Sequence, residues 1–373
     1  MSVQARLLTT VPAPLPPTAA GPPEIVGRPG RRLLVQRSDE EVVARPLDDA
    51  HAARPGAEVR FPAPWPRRRG TWEVSPDAGL AVFAGVHAVR AVETSGATRW
   101  EVRHGCWYGA CGKLHESYDE YAEDRDHRYP DDGSVGFSAD GSLVWAHVRG
   151  PLAEGELTPD TVDEWLVIDA ADGRVLARAD ARAAAAGSIH VPHPTDPRRM
   201  GLSIGEGQDG APLRLGTWDG EKLNVTYVEG DLCLLSVSPS GDRLMTVSHD
   251  QDALAVRDSG GLVVDGLEWD AESVVPPHPD APSDDAEDEM PVCWDWAGGF
   301  VHETTLVVST AESDDEWGEA RHWLLDTTTP DDLHPITYPA PPGTRPTALG
   351  NGVWATLSES GEALHAWVLE PVQ

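Results

Sequence analysis

The sequence predicts an all-β fold of seven similar antiparallel units, and three observations carry that prediction. A tight-turn motif followed by an apolar strand recurs seven times. Glycine (36) and proline (33) are both frequent among the 373 residues, which suits many short strands joined by turns better than long helices. Hydrophobic residues make up 40%, enough for a packed core and too many for a disordered chain.

The clearest copies of the motif are VSPDAGLAVFAG (74–85), FSADGSLVWAHV (137–148) and VSPSGDRLMTVS (237–248). Looser copies are IVGRPGRRLLVQR (25–37), VPHPTDPRRMGLSI (191–204), DWAGGFVHETTLVVST (295–310) and ALGNGVWATLS (348–358). Most are followed by a second strand pair with its own turn, as in VRAVETSGATRWEV (89–102), WLVIDAADGRVLARA (165–179) and LRLGTWDGEKLNVTYV (213–228). Asp-Gly and Ser-Gly tolerate the backbone angles of tight hairpins. The flanks alternate apolar and polar residues with the period of a strand.

Four strands in each of seven units is the arithmetic of a seven-bladed β-propeller. The expected blades are 22–62, 70–103, 134–180, 188–228, 233–269, 293–339 and 346–371, with 104–133 and 270–291 as loop insertions. The last unit is one strand short, and the unclaimed strand QARLLTT (4–10) is expected to complete it and close the ring, removing exposed edges. The Ser-x-Asp-Gly turn followed by a β-run resembles WD40-like and quinoprotein-like propeller repeats over nearly the whole chain. The Gly-His signature is absent, and the Trp-Asp pairs at 218, 269 and 294 are unevenly spaced. The resemblance therefore implies a fold and no ligand. Few lysines with many alanines and arginines give an actinobacterial-type composition.

Charge sets the expected partners. Acids number 62 against 29 Lys and Arg, a net of −33. Residues 1–70 carry 11 Arg and 7 acids, so the remainder carries a net of −37. Such a field repels nucleic acid and anionic lipid and favours a basic protein, a basic peptide or a small cationic ligand. The apolar runs are too short to span a bilayer and the N-terminus lacks a secretory pattern, so a cytoplasmic protein is expected. Four cysteines make no disulfide scaffold, and Cys233 and Cys293 read as small buried apolar groups.

With the strands of each unit lettered A to D from the centre outward, the A–B and C–D turns leave at one face and are short. The B–C and D–A connections leave at the other. They comprise 104–133, 149–164, 181–187, 205–210, 229–231, 248–252, 270–291, 310–320 and 357–363, and their 107 residues hold 34 acids and five Lys or Arg. Long loops on a rigid scaffold are the usual seat of function.

Several clusters fall on this face. Cys106, Cys111 and His115 form a Cys-x4-Cys-x3-His pattern able to hold zinc, with His104 or Glu116 as fourth ligand; ordinary thiols or a local disulfide are the alternatives. The stretch after it, HESYDEYAEDRDHRYPDDG, reads as a short solvated helix with Tyr118 and Tyr121 on one side. Ligand-binding candidates are Glu206, Gln208, Asp209, Glu312, Glu316, Trp317, Glu319 and His322, and the carboxylates and amide among them can also offer oxygen ligands to a divalent cation such as calcium. His249 beside Asp250 and Asp252 is the candidate for acid–base chemistry. Segment 270–291 has eight acids, five prolines and no strand pattern, and reads as a mobile excursion. No Walker, HExxH, EF-hand or Gly-x-Ser-x-Gly motif is present. Two functions follow: a non-enzymatic binding propeller, or a metal-dependent hydrolase or lyase with its site at the top of the central channel.

Overall fold

A computed structural model describes residues 2–48, 57–150, 163–279, 292–311, 321–343 and 345–370. The recurring turn explains why strands begin where they do. The Ser75 hydroxyl donates to Asp77 Oδ1 (2.6 Å) and accepts from the amides of Gly79 (3.1 Å) and Leu80 (3.0 Å), folding the chain back on itself. Ser138 repeats the arrangement, donating to Asp140 Oδ1 at 2.8 Å and accepting from the Leu143 amide at 3.0 Å. Gly141, in that turn, has φ +77°, a conformation that glycine adopts without strain.

The regular secondary structure of the described chain is almost entirely strand. β1 (Val3–Pro12) comes first in sequence and joins the last sheet. β2 (Glu24–Arg28), β3 (Arg31–Arg37), β4 (Glu41–Pro46) and β5 (Val59–Pro62) form a four-stranded antiparallel sheet in that order. So do β6 (Gly70–Val74), β7 (Leu80–Gly85), β8 (Ala88–Glu93) and β9 (Thr98–Arg103), and so do β10 (Ser134–Phe137), β11 (Leu143–Arg149), β12 (Asp163–Asp169) and β13 (Val175–Asp180).

The next seven strands are joined into one sheet in chain order. They are β14 (Gly187–Pro192), β15 (Arg199–Gly205), β16 (Pro212–Trp218), β17 (Leu223–Val237), β18 (Arg243–Ser248), β19 (Ala253–Asp258) and β20 (Val263–Asp270). The 15-residue β17 makes the join: it pairs with β16 as far as Asp231 and with β18 from Leu232 onward.

The last sheet holds β21 (Trp294–Phe300), β22 (Thr305–Thr310), β23 (His322–Asp326), β24 (Leu333–Thr337), β25 (Thr347–Gly350), β26 (Val353–Leu357) and β27 (Ala363–Leu369), with β1 between β24 and β27. β1 runs antiparallel to β27 from Ala5↔Leu369 to Pro12↔Ala363, and touches β24 at Val3↔Ile336 and Gln4↔Thr337.

The first strands of successive four-strand groups abut. β10 lies against β6 and β14, β17 against β21, and β25 against both β21 and β2. Sheets meet face to face, and apolar clusters fill the gaps. Leu80, Val82, Ala84 and Val89 meet Val135, Val144, Ala146, Leu166 and Ile168. Ile25 and Leu34 meet Leu349, Val353, Ala355 and Leu364. Second strands are accordingly buried along their length, as all six residues of β7 are.

Two local expectations need correction. The stretch after His115 contains only a single 3₁₀ turn, Tyr118–Glu120, because Tyr121 turns inward to full burial instead of continuing a solvated helix. Cys233, inside β17, and Cys293, just before β21, are half-buried and not core residues. Of segment 270–291, residues 280–291 lie outside the described residues, while α1 (Ala271–Val274) is a single turn capped by the Asp270 carboxylate on the Ser273 amide (2.9 Å). Among the described residues no helix is long and apolar enough to cross a membrane.

Deleting residues 2–12 should be costly. It would uncover Leu364, Ala366 and Trp367 and leave β27 as an open edge. Loss of about 3 kcal/mol would lower Tm by roughly 5–10 °C in a domain of this size. Thermal melting of the truncated protein measures it, and an unchanged Tm would contradict a structural role for β1.

Candidate functional site

The long connections are tied to one another by backbone hydrogen bonds along one rim of the strands. Gly105 N donates to Arg149 O (2.8 Å), Ala186 N to Gly205 O (2.8 Å), His249 N to Asp231 O (2.9 Å), Trp294 N to Gln251 O (2.8 Å) and Ala311 N to Cys293 O (3.0 Å). Side chains add to the seam: Glu206 Oε1 accepts from Ala184 N (2.7 Å) and Asp231 Oδ1 from Ala211 N (3.0 Å). Ala211, directly after connection 205–210, and His249 of connection 248–252 thus both bond to Asp231.

The described residues singled out from sequence do not gather at one point. Gln208 and Asp209 are exposed on a 3₁₀ turn, Gly207–Asp209, and Glu206 is half-buried. His249 is half-buried with Nδ1 3.5 Å from Asp250 Oδ1, and Asp250 is largely in solvent. Asp252 accepts a short hydrogen bond from the Ser248 hydroxyl, so its carboxylate is committed to shaping the turn. His322 lies in the interior, its Nδ1 2.7 Å from the Tyr338 hydroxyl, and burial pulls its pKa down to about 4. Glu312, Glu316, Trp317 and Glu319 lie outside the described residues.

Sequence reasoning missed a buried polar chain beneath the rim. Trp165 Nε1, which can only donate, gives its hydrogen to His190 Nε2 (2.9 Å). A neutral His190 must then donate from Nδ1 to Ser134 Oγ (2.8 Å). Ser134 in turn donates to Ser188 Oγ (2.7 Å), and Ser188 to His147 Nδ1 (2.9 Å). The direction of every proton in the chain follows from the indole at its head. His147 Nε2 then points to Asp163 Oδ2 at 3.8 Å, beyond hydrogen-bond reach. Asp163 accepts instead from Arg149 Nη1 (3.1 Å) and the Ala185 amide (2.8 Å).

Ser188, His147 and Asp163 have the composition of a nucleophile, base and orienting acid, yet the last link is open. Burial also drives His147 down to about 3, a poor base near neutral pH. In the sequence His147 sits in an ordinary strand, and nothing there signals its partners.

The Cys106–Cys111–His115 pattern does come together. The structure adds His127 to it, and one ligand atom from each of the four residues lies within 4.8 Å of all the others. Cys106, His115 and His127 are buried and Cys111 is half-buried. Cys111 Sγ is 3.4 Å from His115 Nε2. Each imidazole is held from behind by a carboxylate: His115 Nδ1 by Glu120 Oε2 (3.3 Å), His127 Nδ1 by Asp124 Oδ2 (2.8 Å). His127 Nε2 is buried without a hydrogen-bond partner.

Neither fourth ligand expected from sequence takes part. His104 Nδ1 is turned to the Gly105 carbonyl (2.7 Å), and Glu116 extends into solvent towards Arg103. Aromatic rings pack the cluster in place. Tyr121 stacks on His127 with centroids 5.3 Å apart and bonds His87 Nδ1 through its hydroxyl (2.7 Å). Trp107 and Tyr121 enter the same apolar cluster as Trp145 and Trp165.

No protein-family model matches the sequence, and no characterised protein matches it by sequence. Its fold is similar to that of solved structures. The WD40 domain of Pan2 from Neurospora crassa is 14% identical with a TM-score of 0.52, the match covering 99% of this chain and 96% of that one. An acylaminoacyl peptidase, solved with Z-Gly-Gly-Phe-chloromethyl ketone, is 9% identical with a TM-score of 0.50, over 95% of this chain and 52% of that one. This chain therefore corresponds to about half of the peptidase. At such identities the likeness speaks for fold alone, and with the stacked antiparallel sheets it makes the chain a β-propeller.

The neutral state of His147 has a measurable consequence. Its ordinary pKa of 6.5 falls to about 3 in the fold, so below pH 6.5 the unfolded chain takes up a proton that the folded chain refuses. Stability from this group is complete above pH 6.5 and is lost towards pH 3, at about 1.4 kcal/mol per pH unit. Asp132 and Asp163, raised to about 6, and Glu73, raised to about 8, slope the other way, so the test is a difference. The destabilisation caused by His147→Gln should shrink steadily as denaturant titrations move from pH 7 to pH 5. A gap that does not vary with pH would show that the fold leaves the His147 pKa unshifted, and a gap that widens towards pH 5 that the fold favours its protonated form.

Proposed function

We propose that the protein is a non-enzymatic binding module, a closed seven-bladed propeller that presents an acidic loop face to a basic protein, basic peptide or small cationic ligand. The observation that carries this reading is charge placement: 107 residues of B–C and D–A connections hold 34 acids and five Lys or Arg. The hydrogen-bonded seam between those connections supports a common face, since Ala211, next to 205–210, and His249 of 248–252 both bond to Asp231. The blades would be 22–62, 70–103, 134–180, 188–228, 233–269, 293–339, and 346–371 with 4–10, and the pairing of β1 with β27 supports closure at that seam. A cytoplasmic site of action belongs to the same proposal.

A cavity of about 580 Å³ is bordered by Pro22, Glu24, Ile25, Arg345, Thr347 and Leu364, where the first and last sheets meet. The alternative of a metal-dependent hydrolase or lyase draws on His249 and its neighbouring carboxylates. It is weakened by the commitment of Asp252 to its turn and the solvent exposure of Asp250.

Titration of a fluorescent oligolysine peptide tests the proposal. Binding should weaken steeply with added salt, as exposed charges are screened. The variant E123Q/D126N/D209N/D250N changes only exposed acids and should bind several-fold more weakly at low salt. Absence of binding at low salt, or equal binding by the variant, would overturn the reading.

A further inference from the structure

We propose that Cys106, Cys111, His115 and His127 bind one zinc ion in a closed tetrahedral site that pins the 104–133 connection to the propeller. Around a tetrahedral zinc with sulfur and nitrogen ligands, neighbouring ligand atoms stand about 3.3–3.8 Å apart. The four ligand atoms already lie within 4.8 Å of one another, and the Cys111–His115 pair at 3.4 Å is at ligand spacing. Closing the cluster onto a metal requires side-chain shifts of only a few tenths of an ångström to about 1 Å.

Three further features point the same way. Glu120 and Asp124 engage the Nδ1 atoms and leave both Nε2 atoms free to ligate, His115 Nε2 beside Cys111 Sγ, in the carboxylate–histidine–metal arrangement that fixes the ligating tautomer. His127 Nε2 is buried without a partner, which is costly unless something fills that position. Two thiolates balance the charge of one zinc, so the closed site is neutral and can sit beneath Trp107 and Tyr121.

The donor set selects the metal. Two sulfurs and two imidazoles suit zinc and do not suit calcium or magnesium, which take oxygen. All four corners come from the protein, leaving no open position for water or substrate. The site is therefore structural, and its work is to order a 30-residue connection that otherwise relies on its aromatic side chains.

The test uses the full-length protein purified under reducing conditions. Metal analysis should find one zinc per chain, and cobalt exchanged into the site should show tetrahedral ligand-field bands with a thiolate charge-transfer band. His127→Asn should remove the zinc, whereas Glu116→Gln, at an exposed neighbour, should retain it. A chelator should lower Tm and speed proteolytic cutting within 104–133 in the parent protein. Three results would overturn the proposal: absence of tetrahedral cobalt bands in the parent protein, full zinc content in His127→Asn, or a Cys106–Cys111 disulfide mapped in the unreduced, freshly isolated chain. The cobalt spectrum needs no variant, so a misfolded substitution cannot mask the answer.

Discussion

Face-to-face burial of every sheet on its neighbours is the constraint from which the rest of this structure follows. A four-stranded sheet packed on both sides leaves its middle strands no wet surface, so β7 and β11 are apolar on both faces instead of alternating. The core is a series of thin layers between sheets, not one central mass. Solvent meets the chain mainly at outer strands and at the two ends, and chemistry is confined there.

The same constraint shapes the ends. Where strands stop, backbone and side-chain polar groups are still surrounded by protein and must find partners within it. The rim answers with connections bonded to one another and with the directed chain from Trp165 to His147. Histidine serves this purpose because its neutral ring both donates and accepts. The cost is acid sensitivity, since a proton added to His87, His147 or His322 would have no solvent to stabilise it.

What was legible in the sequence was what repeats. The Ser-x-Asp-Gly turns marked strand boundaries because a short hydrogen-bond pattern within six residues determines them. The Cys106–Cys111–His115 cluster was legible for a similar reason, being local in sequence. His127 was not, because it is twelve residues beyond His115 and reaches the cluster only through the inward turn at Tyr121. The spacing that could have revealed it is a second histidine preceded by an aspartate three residues earlier, matching the acid that backs His115. The burial of His322 was not legible, because its strand pairing with Ser309 sets it and the acidic residues before it in sequence do not. Charge along the chain indicated a partner class but no residue-level contact, since exposed acids are not individually positioned by packing.

β17 carries one further consequence. A single unbroken strand is the outer member of one four-strand group and the inner member of the next, with Gly230 (φ +95°) as the bend between its halves. Between the second and third sheets, by contrast, the chain travels through thirty residues. Compliance is therefore distributed unevenly around the molecule. The fourth and fifth groups are coupled through continuous backbone, with no connecting loop between them. Any breathing of the assembly is left to the junctions with slack, and the longest described slack, between the second and third sheets, is the one wrapped around two thiols and two imidazoles.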